Sequence, residues 1–403
     1  MKVAHWSFAA ALASALAAAP ALAQKVYDPG ASDTEIKIGN IMPYSGPASA
    51  YAVIGKTEAA FFNKINAEGG VNGRKITFLS YDDGYAPPKA VEQARRLVEN
   101  DQVLLIFQSL GTRSNSAIRP YLNGKKVPQL FPATGATEWA DPQHFPWTMG
   151  WQPNYQTEGR IYAQYLLDHT PDGKIAVLYQ NDDYGKDLLK GVTDGLGAKA
   201  SMIVAQASYE VSDPTVDQQM VQLHASGANV LITIATPKFA AQSIKKAAEL
   251  GWKPEHIIAN VATSIGGVLE PAGLENSKDL LSTAYLKEPS DPQWQTSSDF
   301  KEWSAFMDKY YPDGDRRNNL TVYGYVVSEL LVAVLKQCGD DLTRANVMKQ
   351  AASLHDLQLG MLLPRILVNT SPTDFRPLKQ LQMERFDGRM WRLFGPIRRD
   401  NGA

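Results

Sequence analysis

From Gln108 to Ala117 the chain carries Ser109, Gly111, Thr112, Ser114, Asn115 and Ser116, with no histidine, cysteine or carboxylate among them. Such a set cannot make a nucleophile and its base. It can hold an anion, because hydroxyl, amide and bare backbone N–H groups donate, and short side chains leave room for a ligand. The stretch 133–137 has a similar character, with Ala133, Thr134, Gly135 and Thr137. Each hydroxyl alone is also what an ordinary helix start requires. Only the two segments together point to a cradle for a small anion.

Other residues that do chemistry are sparse. Asp82-Asp83 and Asp182-Asp183 each follow a β-like run, where a general acid or base could sit. The Gly-Tyr-Ala-Pro-Pro after the first pair favours turn capping instead, and the second pair is open in the same way. Trp147, Trp151 and Tyr155 lie where two α/β patterns meet and fit core packing or a cleft equally well. No G-x-S-x-G, Walker A, G-x-G-x-x-G after a strand or H-E-x-x-H motif occurs. The 6 histidines are scattered without metal-ligand spacing, and the single cysteine, Cys338, excludes an intrachain disulfide framework. No metal or cofactor is expected. A secreted hydrolase would have only the two aspartate pairs to work with.

The elements that must position these residues follow from periodicity. β-rich runs at 36–43, 75–83, 103–109 and 127–133 alternate with amphipathic runs at 51–68, 87–100 and 113–123. The alternation restarts with helices at 155–170, 184–196, 217–226 and 238–250, and strands at 174–180, 201–209, 229–235 and 256–262. Such βα alternation specifies parallel sheets covered by helices, here two of them. Later, 339–353 reads as a helix capped by Thr343, and Arg385-Phe-Asp-Gly388 as a hairpin turn before a last strand. The opening cluster therefore sits at the carboxyl end of a parallel strand, where open α/β sheets bind ligands. The helix that starts there offers free N–H groups and the positive end of its dipole.

Composition fits this reading. A length of 403 residues suggests two domains, and 44% hydrophobic with 20% charged residues describes a folded chain. A net charge of −2 gives no footprint for nucleic acid or a membrane surface. Lys2, an Ala/Leu-rich run and Ala21-Leu22-Ala23 before Gln24 form the pattern of a secretory signal over 1–23, interrupted by Pro20 and short for a bilayer span. No other stretch reads as a membrane span.

The runs IKIGNIMPYSGPASAYAVIG, AFFNKINAEGGVNGRKITFLSYDD, VPQLFPATGAT and KIAVLYQNDDYGKDLLKGV, with the small-residue turn between them, resemble the type I periplasmic substrate-binding proteins of the leucine/isoleucine/valine-binding family, which feed ABC importers. The resemblance implies no catalysis and an exported, monomeric protein delivering its ligand to a permease. It also implies two doubly wound parallel-sheet lobes, 34–150 with 284–350 and 151–283 with 351–398, joined by three crossovers and closing on the ligand. A periplasmic ligand sensor on the same fold is the alternative.

Residue by residue, Tyr51 matches the family's aromatic cover over the ligand side chain. Ser109, Leu110, Gly111 and Thr112 match the α-carboxylate segment, and Ala133, Thr134 and Gly135 the second carboxylate and amine segment. Tyr184 matches the aromatic that closes from the other lobe, and Thr236 stands where amino-acid binders often place another aromatic. Around Ala262 those binders carry an acid for the ligand's ammonium, whereas this chain has Val261, Ala262 and Thr263. A buried ammonium without an anion is disfavoured, so an aromatic or aliphatic acid lacking the amine fits better. Asp182, Asp183 or Glu288 could reach the cleft from neighbouring loops.

Overall fold

The β-branched runs and the amphipathic runs between them build two large sheets in the computed structural model, which describes residues 25–399, and a small two-stranded sheet pairs Val26–Tyr27 with Asp341–Leu342. The signal expected at 1–23 lies outside the described residues. The first sheet is formed by β1 (Glu35–Met42), β2 (Lys75–Asp82), β3 (Leu105–Phe107), β4 (Gln129–Leu130) and β5 (Thr148–Met149). Its order is β2-β1-β3-β4-β5, all parallel. Helices α1 (Ala52–Ala67), α2 (Pro87–Arg95) and α3 (Thr112–Gly124) make the connections. Every residue of the central β3 is buried, as a parallel strand covered on both faces must be.

In the second half α4 (Tyr155–His169) leads into β6 (Ile175–Gln180), α5 (Asp183–Leu196), β7 (Ile203–Tyr209), α6 (Asp217–Ala225) and β8 (Val230–Ile234). Then come α7 (Pro237–Glu249), β9 (Glu255–Ile258) and β10 (Leu281–Ala284). After β10 the chain returns to the first sheet, where α8 (Ser298–Tyr310) and α9 (Leu320–Cys338) pack on α1, followed by α10 (Arg344–Ala351). It rejoins the second sheet as β11 (Gln380–Phe386) and β12 (Trp391–Arg399), giving the order β12-β11-β10-β9-β8-β6-β7. The polypeptide thus passes between the sheets three times, after β5, after β10 and before β11.

The α/β class is as expected, with one correction. β11 runs antiparallel to β10, and β12 antiparallel to β11, so the second sheet is mixed. The tight turn after Phe386 dictates the pairing of β11 with β12, since a short hairpin can join only antiparallel strands. Thr343 caps α10 as expected, accepting from the Asn346 N–H at 3.2 Å.

A second correction concerns α9. Its 19 residues are long and apolar enough to cross a membrane, contrary to the expectation that no further stretch reads as a span, yet 15 of them are buried inside the protein. Tyr325 of α9 meets Phe61 of α1 edge-on with ring centroids 5.1 Å apart, so the apolar surface is satisfied by the fold. The expected strand 127–133 contracts to Gln129–Leu130 because Phe131 turns into the left-handed region (φ 58°) and ends the ladder.

Helices α4 and α5 approach each other at glycines. A Cβ on Gly159 would lie 2.5 Å from the Leu188 carbonyl oxygen, and one on Gly191 would lie 2.5 Å from Gln156 Cα. The obstacles are backbone, which cannot swing away. We therefore expect Gly191→Ala to destabilise the protein by about 1–3 kcal/mol, the usual cost of overpacking. A urea midpoint equal to that of the parent would show that the two helices are free to separate.

Candidate ligand-binding site

The carboxyl ends of the two sheets face each other across a cavity of about 70 Å³, measured as space for the centre of a water-sized sphere. One water needs roughly 10–15 Å³ on that measure, so the space suits a small solute and excludes a peptide. From the first sheet come Tyr51 and Ile54 at the start of α1, Tyr85 after β2, Leu110 to Thr112 after β3, and Ala133 after β4. From the second come Tyr184 at the start of α5, Thr236 after β8, Asn260 and Val261 after β9, and Ala284 to Glu288 after β10.

The strand ends turn sharply. Tyr85, Gln108 and Phe131 have φ of 61°, 54° and 58°, left-handed values that non-glycine residues rarely adopt and that concentrate at functional sites. Gly111 follows at φ 92°, and a Cβ there would collide with the Tyr85 ring. Its N–H donates to the Ala133 carbonyl at 3.2 Å, tying the two donor-rich turns together. Gly111 is also the N-cap of α3 and no side chain caps that end, so the first-turn N–H groups are left for something in the cavity. Thr112 and Thr134 share a hydrogen bond of 2.6 Å between their hydroxyls.

These turns sort the expected residues. Tyr51, Leu110, Gly111, Thr112, Ala133, Tyr184 and Thr236 all reach the cavity wall. Ser109, Thr134, Gly135 and Ala262 do not. The Ser109 hydroxyl bonds to Asn115, whose amide in turn donates to the carbonyls of Ser109 (2.7 Å) and Gly111 (2.9 Å), so both residues shape the turn from behind. Gly135 accepts from the Tyr155 N–H at 2.7 Å, and a Cβ there would meet the Pro153 carbonyl at 2.8 Å. Ala262 packs into the second sheet's core, and its neighbour Val261 faces the cavity instead. The Val261 carbonyl accepts the Tyr51 hydroxyl at 3.0 Å, a bond from one sheet's elements to the other's.

The sequence reading missed Tyr85, Tyr285 and Tyr323 on the wall and placed Tyr155 only as an open case. Tyr155 lines the cavity with its ring centroid 4.8 Å from that of Tyr184. Trp151 is fully buried and packs edge-on against Tyr285 at 6.4 Å. Asp82, Asp83 and Asp182 serve as turn and helix caps. Asp82 accepts from the N–H groups of Ser45 and Gly84, Asp83 from Tyr85 N–H and the Ser114 hydroxyl, and Asp182 from Gly185 N–H.

Of the acids that could reach the cleft, Glu288 does, and Glu384 of β11 joins it unforeseen. Lys287 also lines the wall, with its ammonium bound to Asp299. Burial pushes Glu288 up to about 7, against the hydrogen bonds from Ser290. Glu158, behind Asn260, is likewise pushed to about 7 by burial although Asn260 N–H and the Tyr162 hydroxyl donate to it. Burial raises Glu329 to about 8.

These groups hold protons when folded that they lose when unfolded, between about pH 4.5 and their folded values, so stability falls as pH rises through that window. His256, which burial pushes down to about 3, opposes them below its unfolded value of roughly 6.5. Three carboxyls outweigh one imidazole. The urea midpoint without ligand is expected to be lower at about pH 8 than at about pH 5.5, and a higher midpoint at pH 8 would contradict this.

A family profile described as periplasmic binding protein matches residues 35–386. Leu/Ile/Val-binding protein homolog 7 of Brucella abortus (strain 2308) is 25% identical over 352 residues, covering 82% of this chain and 83% of its own length. A branched-chain amino acid ABC transporter protein of Thermus thermophilus, solved with bound valine, superposes with a TM-score of 0.82 at 14% identity, over 91% of this chain and 97% of its own. A solute-binding protein of an ABC transporter from Rhodopseudomonas palustris BisB5, in complex with 3,4-dihydroxybenzoic acid, gives 0.76 at 18% identity, over 91% and 97%. The chain therefore belongs to the periplasmic binding protein family, among substrate-binding proteins of the Leu/Ile/Val-binding type and not among enzymes.

Proposed function

We propose that the protein is the extracytoplasmic solute-binding component of an ABC importer, and that it captures a small carboxylate by closing two lobes on it. The lobes are 34–150 with 284–350 and 151–283 with 351–398, the three crossings between sheets serve as the hinge, and the monomer delivers its ligand to a permease. The observation that carries this reading is the uncapped start of α3, with Thr112 beside it, opening into a small cavity between the two sheets. An oxyanion there takes up free N–H groups at the positive end of a helix dipole. The two structural relatives hold valine and 3,4-dihydroxybenzoic acid, which have a carboxylate in common and little else.

Closure follows from differential contact. A ligand that touches Thr112 on one side and Tyr184 on the other gains both sets of contacts only when the lobes are together, so it shifts the population to the closed state. Tyr51 to Val261 is then a contact between lobes that forms on closing.

A thermal-shift panel of amino acids and aromatic and aliphatic acids identifies the ligand, which at 100 times its Kd adds about 2.7 kcal/mol of stability. With that ligand, Thr112→Ala should weaken binding about tenfold or more, since a hydrogen bond to a charged group is worth roughly 1.5–3 kcal/mol. Unchanged affinity in calorimetry would remove Thr112 from the site. Tyr51→Phe, which loses only the bond to Val261, should cost about 0.5–1.5 kcal/mol, a roughly two- to tenfold loss of affinity. Equal affinity would mean that this bond plays no part in closure.

A further inference from the structure

The connection between α8 and α9 reaches across to the other sheet. Both helices pack on α1 of the first sheet, and residues 311–319 lie between them. Facing them is the loop from β9 to β10, whose Ile265, Val268 and Leu269 are buried in the second sheet's core beside α7. Three successive residues of the connection each bond to that loop. Asn319 donates from its amide to the Thr263 hydroxyl at 2.9 Å. Asn318 accepts at Oδ1 from the Ser264 hydroxyl at 2.9 Å, and both residues are under a tenth exposed. Arg317 meets Glu270 with two guanidinium nitrogens, one on each carboxylate oxygen, the longer bond being 3.3 Å.

The three bonds run outward from the cavity. Thr263 and Asn319 are on its wall, whereas Ser264, Glu270, Arg317 and Asn318 are not among the described residues that line it. Each side is braced within its own loop. Ser264 accepts from the Gly267 N–H at 2.9 Å, and Asn318 Oδ1 from the Leu320 N–H at 3.1 Å. Asp315 accepts from the Arg317 N–H at 2.9 Å and lies 3.7 Å from its Nε, which holds the guanidinium toward Glu270. The loops approach closely at Gly266, where a Cβ would collide with the Asp315 carboxylate. An isolated ion pair on a surface contributes little, but a bidentate pair backed by a buried bond keeps its geometry.

We propose that Arg317 and Glu270 are positioning residues which, with Asn318 and Ser264, clasp the two lobes shut and set affinity by one common factor for every solute the cavity accepts. Resting on lobe closure as the binding step, the clasp adds to it a contribution that no solute contact supplies. Apparent affinity follows the stability of the closed state, whichever solute sits inside. Loss of a residue on the cavity wall acts otherwise, because it falls unequally on solutes of different shape. The pair is partly open to solvent, with side chains 59% exposed for Arg317 and 31% for Glu270, so salt weakens it. Affinity is thereby tied to ionic strength through two residues that no solute touches.

The test is calorimetry with valine, leucine, phenylalanine, benzoate and 3,4-dihydroxybenzoate, in about 20 mM and about 1 M sodium chloride. At low salt Arg317→Glu should raise Kd about fivefold or more, by the same factor within about twofold for each compound that binds the parent. Glu270→Arg should do the same. Both substitutions together restore an ion pair in the opposite sense and should return Kd to within about twofold of the parent. In high salt the ratio of single variant to parent should shrink to about twofold or less, and taking the ratio cancels any effect of salt on the solute itself. A Kd unchanged in both single variants, a loss that the swap does not restore, a ratio undiminished by salt, or a loss that differs between compounds would overturn the clasp and leave the carboxylate site standing. Failure of all five compounds to bind the parent would overturn the carboxylate reading and the clasp with it.

Discussion

The hydrogen bond from the Tyr51 hydroxyl to the Val261 carbonyl joins the first turn of α1, on one sheet, to the loop after β9 on the other. The properties of the cavity depend on that junction. With the two sides together, Tyr51, Tyr155 and Tyr184 are each under a tenth exposed, and the polar groups behind them face a space shielded from bulk water. Shielding strengthens each of their interactions and raises the cost of leaving any of them unmet. Other bonds join the two sides at the rim of the cavity. Asp187 accepts from the Thr137 N–H and hydroxyl at 2.8 and 2.9 Å, and the Asn319 amide donates to the Thr263 hydroxyl at 2.9 Å.

The junction is positioned by contacts made behind the cavity wall. Buried Glu158 accepts from Asn260 N–H at 2.7 Å and from the Tyr162 hydroxyl at 2.6 Å, and the Asn260 side chain is bonded to the Thr283 carbonyl. These contacts fix the short turn that presents the Val261 carbonyl. On the other side, the left-handed residues Gln108 and Phe131 end their strands early and leave Gly111 free to start α3 without a cap. The close approach of α4 and α5 at their glycines brings the Tyr155 and Tyr184 rings together. Each device spends some stability, as backbone strain or a buried carboxyl, to hold polar groups facing the solute.

Parallel strands and their helices were legible because burial on both faces leaves an unbroken apolar run that few other contexts produce. The donor turn was legible for a similar reason, as six short residues after such a run have few other uses. Within that turn, orientation was not. Ser109 and Thr112 look alike in sequence, and a single turn of backbone sends one behind the wall and the other to its face. Ala262 and Val261 exchange roles by one position for the same reason. Glu384 had no local signal at all, because a glutamate in an alternating strand reads as solvent-facing, and only the antiparallel pairing of β11 with β10 brings it inside. The apolar α9 was hidden in the same way, since its partner α1 lies some two hundred and fifty residues earlier in the chain.

The central claim is that a small carboxylate lies between the sheets with its oxygens on the open end of α3. A crystal structure of the protein with the acid that binds most tightly in a carboxylate panel tests it directly. The account predicts carboxylate density within hydrogen-bond distance of the Thr112 N–H and hydroxyl, with the Tyr51 and Tyr184 rings against the remainder of the ligand. Density elsewhere on the protein, with this cavity holding only water, would contradict it.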